Sequence, residues 1–165
     1  MFEKWLFLFD LDGLLIDSEP LHFFSYQKAL SGWGVQLKWS FEEYSHAALF
    51  GKEFFLHSLL ENHPSAQRVV ENWEKFYEEK QKILQEQVRT GKISLMPGAV
   101  SLLRHLQKVG IPHIVVTHSS RAFVNLIGES HSLLSCIPHW ITREDYVHPK
   151  PHAEPYEKAL SLIHI

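Results

Sequence analysis

The chain has 165 residues, of which 45% are hydrophobic, and this is enough for one ordinary domain or for a small core that carries an insertion. The 16 Lys and Arg residues against 19 Asp and Glu residues give a net charge of -3, which argues against a nucleic-acid partner or a membrane-surface role. No apolar run is long enough to span a membrane and the N-terminus lacks a basic signal-peptide start, so we expect a cytoplasmic protein. The twelve histidines are scattered, and we interpret most of them as surface or helix-cap residues rather than metal ligands.

The first informative segment is an apolar stretch, residues 5–9, that two carboxylates follow. Because it is apolar at every position, this stretch predicts a β-strand that is buried on both faces of a parallel sheet. Asp10 and Asp12 then lie at the carboxyl end of the strand, where α/β proteins bind ligands. Gly13 allows the tight turn that lets both carboxylates reach one pocket. An Asp-Gly turn alone is common, but the additional acid at position 10 favours a functional site.

Residues 9–19, with the sequence FDLDGLLIDSE, resemble the first motif of the haloacid dehalogenase superfamily, in the branch of β-phosphoglucomutase-like and phosphoglycolate-phosphatase-like enzymes. The resemblance implies an α/β fold with a Rossmann-like core, a parallel sheet and an inserted α-helical cap. It implies that Asp10 is the nucleophile that accepts a phosphoryl group and that Asp12 is the general acid and base. It also implies that Asp10 and Asp12 bind Mg²⁺ and that Gly13 belongs to the substrate site.

A helical pattern follows the first motif and continues to about residue 89. Ser18 can cap the first helix of this segment. Ser40 and Glu43 form the capping box that predicts a helix from Phe41. The segment is therefore mainly helical.

The simplest account is a helical cap over residues 15–91, inserted into an α/β core that residues 1–14 and 92–165 form. By resemblance to the family, such a cap closes over the active site and selects the substrate. Gly51 and Lys52 would lie in the cap loop that faces the core, where Lys52 can meet an anionic substrate. A solvated surface lysine explains the same residue equally well.

Strand and helix patterns alternate again after the helical segment. Residues 99–109 predict a helix that Gly110 and Pro112 stop, and residues 113–116 predict an apolar strand. This alternation is typical of an α/β core.

Residues 115–120, with the sequence VVTHSS, resemble the second motif of the family, an apolar strand that ends in a hydroxyl residue. In phosphoryl transfer, charge spreads over the equatorial oxygens, and a hydroxyl with the N–H groups of a helix start can hold them. Thr117 takes this role by resemblance. Ser119 and His118 can contact substrate, and Ser119 or Ser120 can also cap the next helix.

Residues 148–156, with the sequence HPKPHAEPY, resemble the third motif. A fixed ammonium group lets a carboxylate nucleophile approach an anionic phosphate, and we expect Lys150 to supply it. The segment departs from the family pattern twice. Ala153 stands where relatives usually carry proline, and Glu154 stands where they usually carry aspartate, so helix capping by this acid is expected to be weaker.

The chain ends at Ile165 before a fourth motif, an acidic pair that completes the Mg²⁺ site in the family. Glu144 and Asp145 do not offer a substitute for this pair, so we expect Asp10 and the main-chain carbonyl of Asp12 to bind Mg²⁺ only weakly. The strand of the fourth motif lies beside the first strand, whose edge would otherwise be exposed to self-association or aggregation. Truncation, loss of activity and completion by a partner chain each explain the pattern, and we favour truncation.

The sequence therefore predicts a phosphohydrolase that acts on a small phosphorylated metabolite through an aspartyl-phosphate intermediate, with Asp10, Asp12, Thr117 and Lys150 as its catalytic residues. A phosphomutase of the same branch is the first alternative, because the three motifs do not distinguish water from a sugar hydroxyl as the acceptor. The second alternative is an inactive homologue that serves only as a binding or scaffold protein.

Overall fold

The computed structural model describes residues 5–163, which form two compact units. One unit contains residues 5–18 and 93–163, and the other is the segment Glu19–Lys92. The first boundary lies at Glu19 rather than at residue 15, because Ile16–Asp17 pairs with a strand of the first unit. None of the described helices combines the length and the apolar composition that crossing a bilayer requires.

The regular elements follow the chain in a mixed α/β order. The strands are β1 (Phe7–Phe9), β2 (Ile16–Asp17), β3 (Ser94–Leu95), β4 (His113–Val116) and β5 (His139–Ile141). The helices are α1 (Glu19–Gly32), α2 (Phe41–Leu49), α3 (Lys52–Asn62), α4 (Gln67–Glu71), α5 (Trp73–Arg89), α6 (Ala99–Val109), α7 (Arg121–Ser130), α8 (Ser132–Ser135) and α9 (Glu154–Ser161). Short 3₁₀ turns cover Pro64–Ala66 and Arg143–Asp145.

A parallel sheet of order β1-β4-β5 is the centre of the α/β unit. Its middle strand, β4, is buried at all four positions, and both β4 and α6 have the bounds that the sequence predicts. Gly98 and Gly110 flank α6 with φ values of 86° and 69°, in the left-handed region that glycine adopts at little cost. The carboxyl ends of β1 and β4 lie side by side, because Phe9 is in register with Val115.

The first strand is less buried than the sequence predicts. Phe9 is buried, but Phe7 and Leu8 are only half-buried and Trp5 is 64% exposed. Within residues 5–163, β1 pairs with β4 alone, so it is an edge strand as expected. The prediction of burial on both faces is therefore wrong here, since it holds only for a strand that the sheet and its helices cover completely.

The helical unit has a core of aromatic side chains from four of its helices and from the segment before α2. Its buried members are Tyr26, Trp39, Tyr44, Phe55, Trp73 and Phe76. The predicted capping box at the start of α2 is confirmed, because the Glu43 N–H donates to Ser40 Oγ and the Ser40 N–H donates to Glu43 Oε2. Whether this unit acts as a cap remains a prediction.

One cation is buried in the helical unit. Lys80 is 1% exposed, its Nζ lies 2.8 Å from His22 Nδ1, and it stands over the rings of Tyr26 and Tyr77 at 4.7 and 5.6 Å. Burial, followed by the charge of Lys80, lowers the pKa of His22 from 6.5 to about 3. The folded protein therefore holds His22 neutral over most of the acidic range.

This difference makes the stability of the protein depend on pH. We expect the free energy of unfolding to fall by up to about 1.4 kcal/mol for each pH unit below 6.5, because unfolded His22 binds a proton that the folded protein binds only near pH 3. The His22→Gln variant keeps an acceptor beside Lys80 but has no group that titrates at this position. The free energy of unfolding of the wild type minus that of the variant should therefore become smaller as the pH falls. Urea unfolding of both proteins from about pH 7 to about pH 4 measures this difference. A difference that stays constant over the range would contradict the assignment.

Candidate active site

An ion pair connects the ends of the two adjacent strands. Lys150 Nζ lies 2.9 Å from Oδ2 of Asp10, the residue that follows β1. It also donates a hydrogen bond of 3.0 Å to the carbonyl of Val116, the last residue of β4. The Lys150 side chain is 13% exposed whereas that of Asp10 is 49% exposed. Asp10 Oδ1 accepts the Leu11 N–H at 2.8 Å. The ammonium is thus fixed from the buried side, and the carboxylate is open to solvent.

Asp12 is surrounded by hydroxyl groups. Ser18 Oγ donates to Oδ1 at 2.6 Å, Ser119 Oγ donates to Oδ2 at 2.6 Å, and Thr117 Oγ1 lies 3.5 Å from Oδ2. A hydroxyl both donates and accepts hydrogen bonds, so these neighbours can serve Asp12 as a carboxylate or as a carboxylic acid. A group that gives and takes a proton during one reaction needs this property.

A tight turn brings these two carboxylates into the site. The Gly13 N–H donates to the Ile16 carbonyl at 2.9 Å, and Gly13 has a φ of 72°. Leu11 is fully buried, and its carbonyl accepts the N–H groups of residues 14–16. Asp10 and Asp12 flank this anchored residue, and the predicted turn at Gly13 is confirmed.

The segment after β4 supplies the remaining polar groups. Thr117 is fully buried, and its Oγ1 accepts the Ser119 N–H at 3.0 Å. Ser120 caps α7 by accepting the Phe123 N–H at 3.3 Å, in agreement with the sequence analysis. Side chains and the start of a helix therefore converge beside Asp12.

His118 is held at the rim of the site. Its Nδ1 lies 2.7 Å from the Tyr146 hydroxyl, which donates to the Thr117 carbonyl at 3.1 Å. Burial, followed by the charge of Lys150, lowers the pKa of His118 below its usual 6.5. The electrostatic effect of Lys150 thus reaches a second side chain of the site.

The loop that carries Lys150 is closed by Glu154, a role that sequence reasoning missed. The two Glu154 oxygens accept the N–H groups of Val147 and His148 at 3.0 and 2.8 Å. These hydrogen bonds, with His148 first, lower the pKa of Glu154 from 4.5 to about 2. The acid was expected to be a weak helix cap, but it instead fixes the backbone on the N-terminal side of Lys150.

The α/β unit contains most of the predicted residues, and two belong to the helical unit. Lys150 contacts Asp10 and the Val116 carbonyl, Thr117 and Ser119 contact Asp12, and His118 is connected to the Thr117 carbonyl through Tyr146. Gly51 and Lys52 belong to the helical unit, where Lys52 Nζ lies 3.0 Å from Glu74 and 5.7 Å from the Trp73 ring centre. Their contribution to substrate binding remains a prediction.

Ser18 was also missed, because the sequence analysis gave it a capping role and the structure shows it donating to Asp12. A signal for it was present, since Ser18 lies inside the first motif.

The carboxylates fit Mg²⁺ only in part. Asp10 is an exposed oxygen ligand of the kind that Mg²⁺ binds together with water and phosphate. The Asp12 carboxylate oxygens accept hydroxyl donors, so the main-chain carbonyl of Asp12 remains its expected ligand atom. Glu144 accepts the Arg121 N–H and Asp145 accepts the Thr142 N–H. Within residues 5–163, neither acid joins Asp10 and Asp12 in a three-ligand cluster. Weak Mg²⁺ binding remains a prediction.

Comparison with known proteins places the chain in a family. The sequence model of the haloacid dehalogenase-like hydrolases matches residues 6–165. The chain belongs to the haloacid dehalogenase-like hydrolase family. Its fold is similar to those of a putative β-phosphoglucomutase from Thermotoga maritima and a predicted phosphoglycolate phosphatase from Haemophilus somnus, with TM-scores of 0.71 and 0.79 at 19% and 17% identity.

Two curated relatives and one solved structure illustrate the likeness. The chain is 30% identical over 138 residues to (DL)-glycerol-3-phosphatase 1, mitochondrial, of Arabidopsis thaliana, covering 84% of this chain and 44% of that protein. It is 34% identical over 116 residues to hexitol phosphatase A of Escherichia coli, covering 69% of this chain and 48% of that protein. CbbY from Rhodobacter sphaeroides in complex with phosphate matches the fold with a TM-score of 0.73 at 23% identity, covering 97% of this chain and 72% of that one. The chain thus spans about half the length of these curated relatives.

The link between Lys150 and His118 gives a prediction that does not depend on activity. In Lys150→Met we expect the pKa of His118 to rise, because the variant removes a positive charge that disfavours the imidazolium and leaves Asp10 without its cation. An NMR titration of the histidine ring protons measures the change. The ring proton resonances of His57, which is 72% exposed and lies in the helical unit, should have the same chemical shifts in both proteins. A lower or unchanged pKa of His118 would disprove the coupling.

Proposed function

We propose that this protein is a phosphatase of small phosphorylated metabolites that works through an aspartyl-phosphate intermediate. One observation carries the proposal: a solvent-accessible Asp10 is paired with a fixed ammonium, beside an Asp12 that is ringed by hydroxyls. The two curated phosphatases support the same class of reaction. A phosphomutase would need a second hydroxyl of the substrate to be held in the site as the phosphoryl acceptor, and no contact of the described residues favours such a hydroxyl over water.

Asp10 is proposed as the nucleophile. Its carboxylate attacks phosphorus in line, the bond from phosphorus to the ester oxygen breaks, and the phosphoryl group becomes attached to Asp10. Lys150 offsets the repulsion between the carboxylate and the phosphate, and it is already oriented by the Val116 carbonyl. Little rearrangement of the ammonium is then needed during the reaction.

Asp12 is proposed to move the protons. It gives a proton to the leaving oxygen in the first step and takes one from the attacking water in the second, when the bond between phosphorus and Asp10 breaks and phosphate leaves. Ser18 and Ser119 keep hydrogen bonds to both forms of Asp12 by turning their hydroxyl groups. This cycle restores both aspartates.

The transferred phosphoryl group is proposed to lie against Thr117 and the N–H groups at the start of α7. The hydrogen bond from the Thr117 hydroxyl to Asp12 is long and weak, at 3.5 Å. The hydroxyl can therefore turn to donate to a phosphoryl oxygen at small cost. Mg²⁺, which Asp10 and Asp12 would hold, supplies neutralisation of the charge on the phosphate oxygens when it is bound.

The substrate class that we propose is a small phosphorylated polyol, since glycerol 3-phosphate and hexitol phosphates are named for the two relatives. The net charge of -3 agrees with a small ligand rather than a nucleic acid. We also propose a cytoplasmic location. Self-association through the edge of β1 remains a prediction.

The test replaces the nucleophile. We expect Asp10→Asn to lose Mg²⁺-dependent release of phosphate from glycerol 3-phosphate by about 10³-fold or more, because an amide oxygen is a poor nucleophile towards phosphorus. The wild type should also accumulate protein-bound phosphate that hydroxylamine removes, as acyl phosphates do, and the variant should not. Phosphate assays and labelling of the purified 165-residue chain give both readouts.

Asp17→Asn is the matched control, because Asp17 is a half-buried acid in β2 to which the mechanism gives no role. Its turnover should stay within about twofold of the wild type. Turnover that survives in Asp10→Asn would rule out Asp10 as the nucleophile, and a wild type without phosphate release would remove the phosphatase assignment for this chain.

A further inference from the structure

Two histidines and one glutamate lie together outside the catalytic contacts. His148, His152 and Glu154 each offer a ligand atom, and these atoms lie within 4.8 Å of one another. The two imidazole rings are 4.7 Å apart and inclined by 32°. Within residues 5–163, these three residues form the one group of three or more His, Cys, Asp or Glu side chains whose ligand atoms lie close enough to hold a metal ion. The cluster belongs entirely to the α/β unit.

Hydrogen bonds already connect the three side chains. His148 Nδ1 lies 2.9 Å from Glu154 Oε2, and the Glu154 N–H donates to His152 Nδ1 at 3.1 Å. The second contact uses a lone pair of His152 Nδ1, so a metal that binds His152 takes the place of this hydrogen bond. A neutral imidazole is the form that binds metals.

We propose that His148, His152 and Glu154 form a binding site for a transition-metal ion of the Zn²⁺ type. Two imidazole nitrogens and one carboxylate oxygen are a ligand set that suits Zn²⁺, Ni²⁺ or Cu²⁺ far better than Mg²⁺, which prefers oxygen. Three protein ligands leave a coordination position for water. The site is therefore chemically distinct from the pair Asp10 and Asp12.

Closing the site needs a modest movement. Two ligands bound to Zn²⁺ at about 2.1 Å in tetrahedral geometry lie about 3.4 Å apart, which is closer than the present limit of 4.8 Å. His148 is 65% exposed, so its ring can rotate without disturbing a packed core. Glu154 is 19% exposed and is fixed by two backbone N–H groups, so it can serve as the rigid ligand.

The charges near Glu154 leave one oxygen for the metal. Lys158 Nζ lies 3.6 Å from Oε1, whereas Oε2 faces the His148 ring. A metal at Oε2 would take the place of the hydrogen between His148 and Glu154, and the ammonium would stay on the other oxygen. The Val147 and His148 N–H groups would keep Glu154 as their acceptor, whereas the Glu154 N–H would give up His152 Nδ1.

The test is an equilibrium titration of the 165-residue chain with Zn²⁺ against a chromophoric chelator, in a millimolar excess of Mg²⁺. We expect one Zn²⁺ per chain, bound about tenfold or more weakly by His148→Ala, His152→Ala and Glu154→Gln. Co²⁺ in place of Zn²⁺ should give the visible absorption of a nitrogen-ligated site in the wild type, and this absorption should be lost in the three variants.

His57→Ala is the matched control. His57 is another exposed histidine beside a carboxylate, with Nδ1 3.5 Å from Glu61 Oε2, but it is not one of the three proposed metal ligands. This variant and Asp10→Asn should bind Zn²⁺ as the wild type does. NMR of the wild type adds a readout without substitution, since Zn²⁺ should shift the ring resonances of His148 and His152 and leave those of His57 unchanged. Absence of one-to-one binding, unchanged His148 and His152 resonances, or equal loss in His57→Ala or Asp10→Asn would overturn the proposal.

Discussion

The arrangement of the site depends on one ion pair, between Lys150 and Asp10. The lysine reaches its partner from a loop far along the chain, and it is oriented by the Val116 carbonyl at the end of the neighbouring strand. Because its side chain is 13% exposed, leaving it without an anion would be costly. The pair therefore ties the segment after β1, the end of β4 and the loop before α9 into one structure, and an anionic ligand can take over part of the role of Asp10.

The two aspartates differ in environment although they are two residues apart. Buried Leu11 stands between them, with Asp10 in contact with a cation and Asp12 in contact with hydroxyls. A cation beside a carboxylate stabilises its charged form, whereas hydroxyls can accommodate either form. Two identical side chains can thus take different parts in one reaction because of the groups that the fold brings to each.

Local signals in the sequence predicted much of the fold. The bounds of α6 and β4 follow from glycines and from apolar periodicity, and Ser40 with Glu43 and Ser120 cap helices as their side chains favour. By resemblance to the family, the motifs also predicted Asp10, Asp12 and Lys150 as members of one site, and the structure brings Lys150 into contact with Asp10.

The remaining features depend on contacts that local patterns do not encode. Ser18 has the residue type of a helix cap, and only the folded turn brings it to Asp12. Glu154 closes a loop through N–H groups six and seven residues before it. The same loop brings together two of the histidines, most of which the sequence analysis interpreted as surface or helix-cap residues. The burial of residues 5–9 was overestimated because an apolar strand does not reveal how many neighbours it has.

The short ribbon of β2 and β3 has a consequence for how this protein can change. Asp17 pairs with Ser94, so the chain leaves the α/β unit and returns to it at adjacent backbone positions, about 5 Å apart in an antiparallel pair. A segment whose two ends are held so close can be lengthened, shortened or exchanged for another without new strain in the sheet. The helical unit is thus a module that can diversify, while the residues around Asp10 keep their geometry.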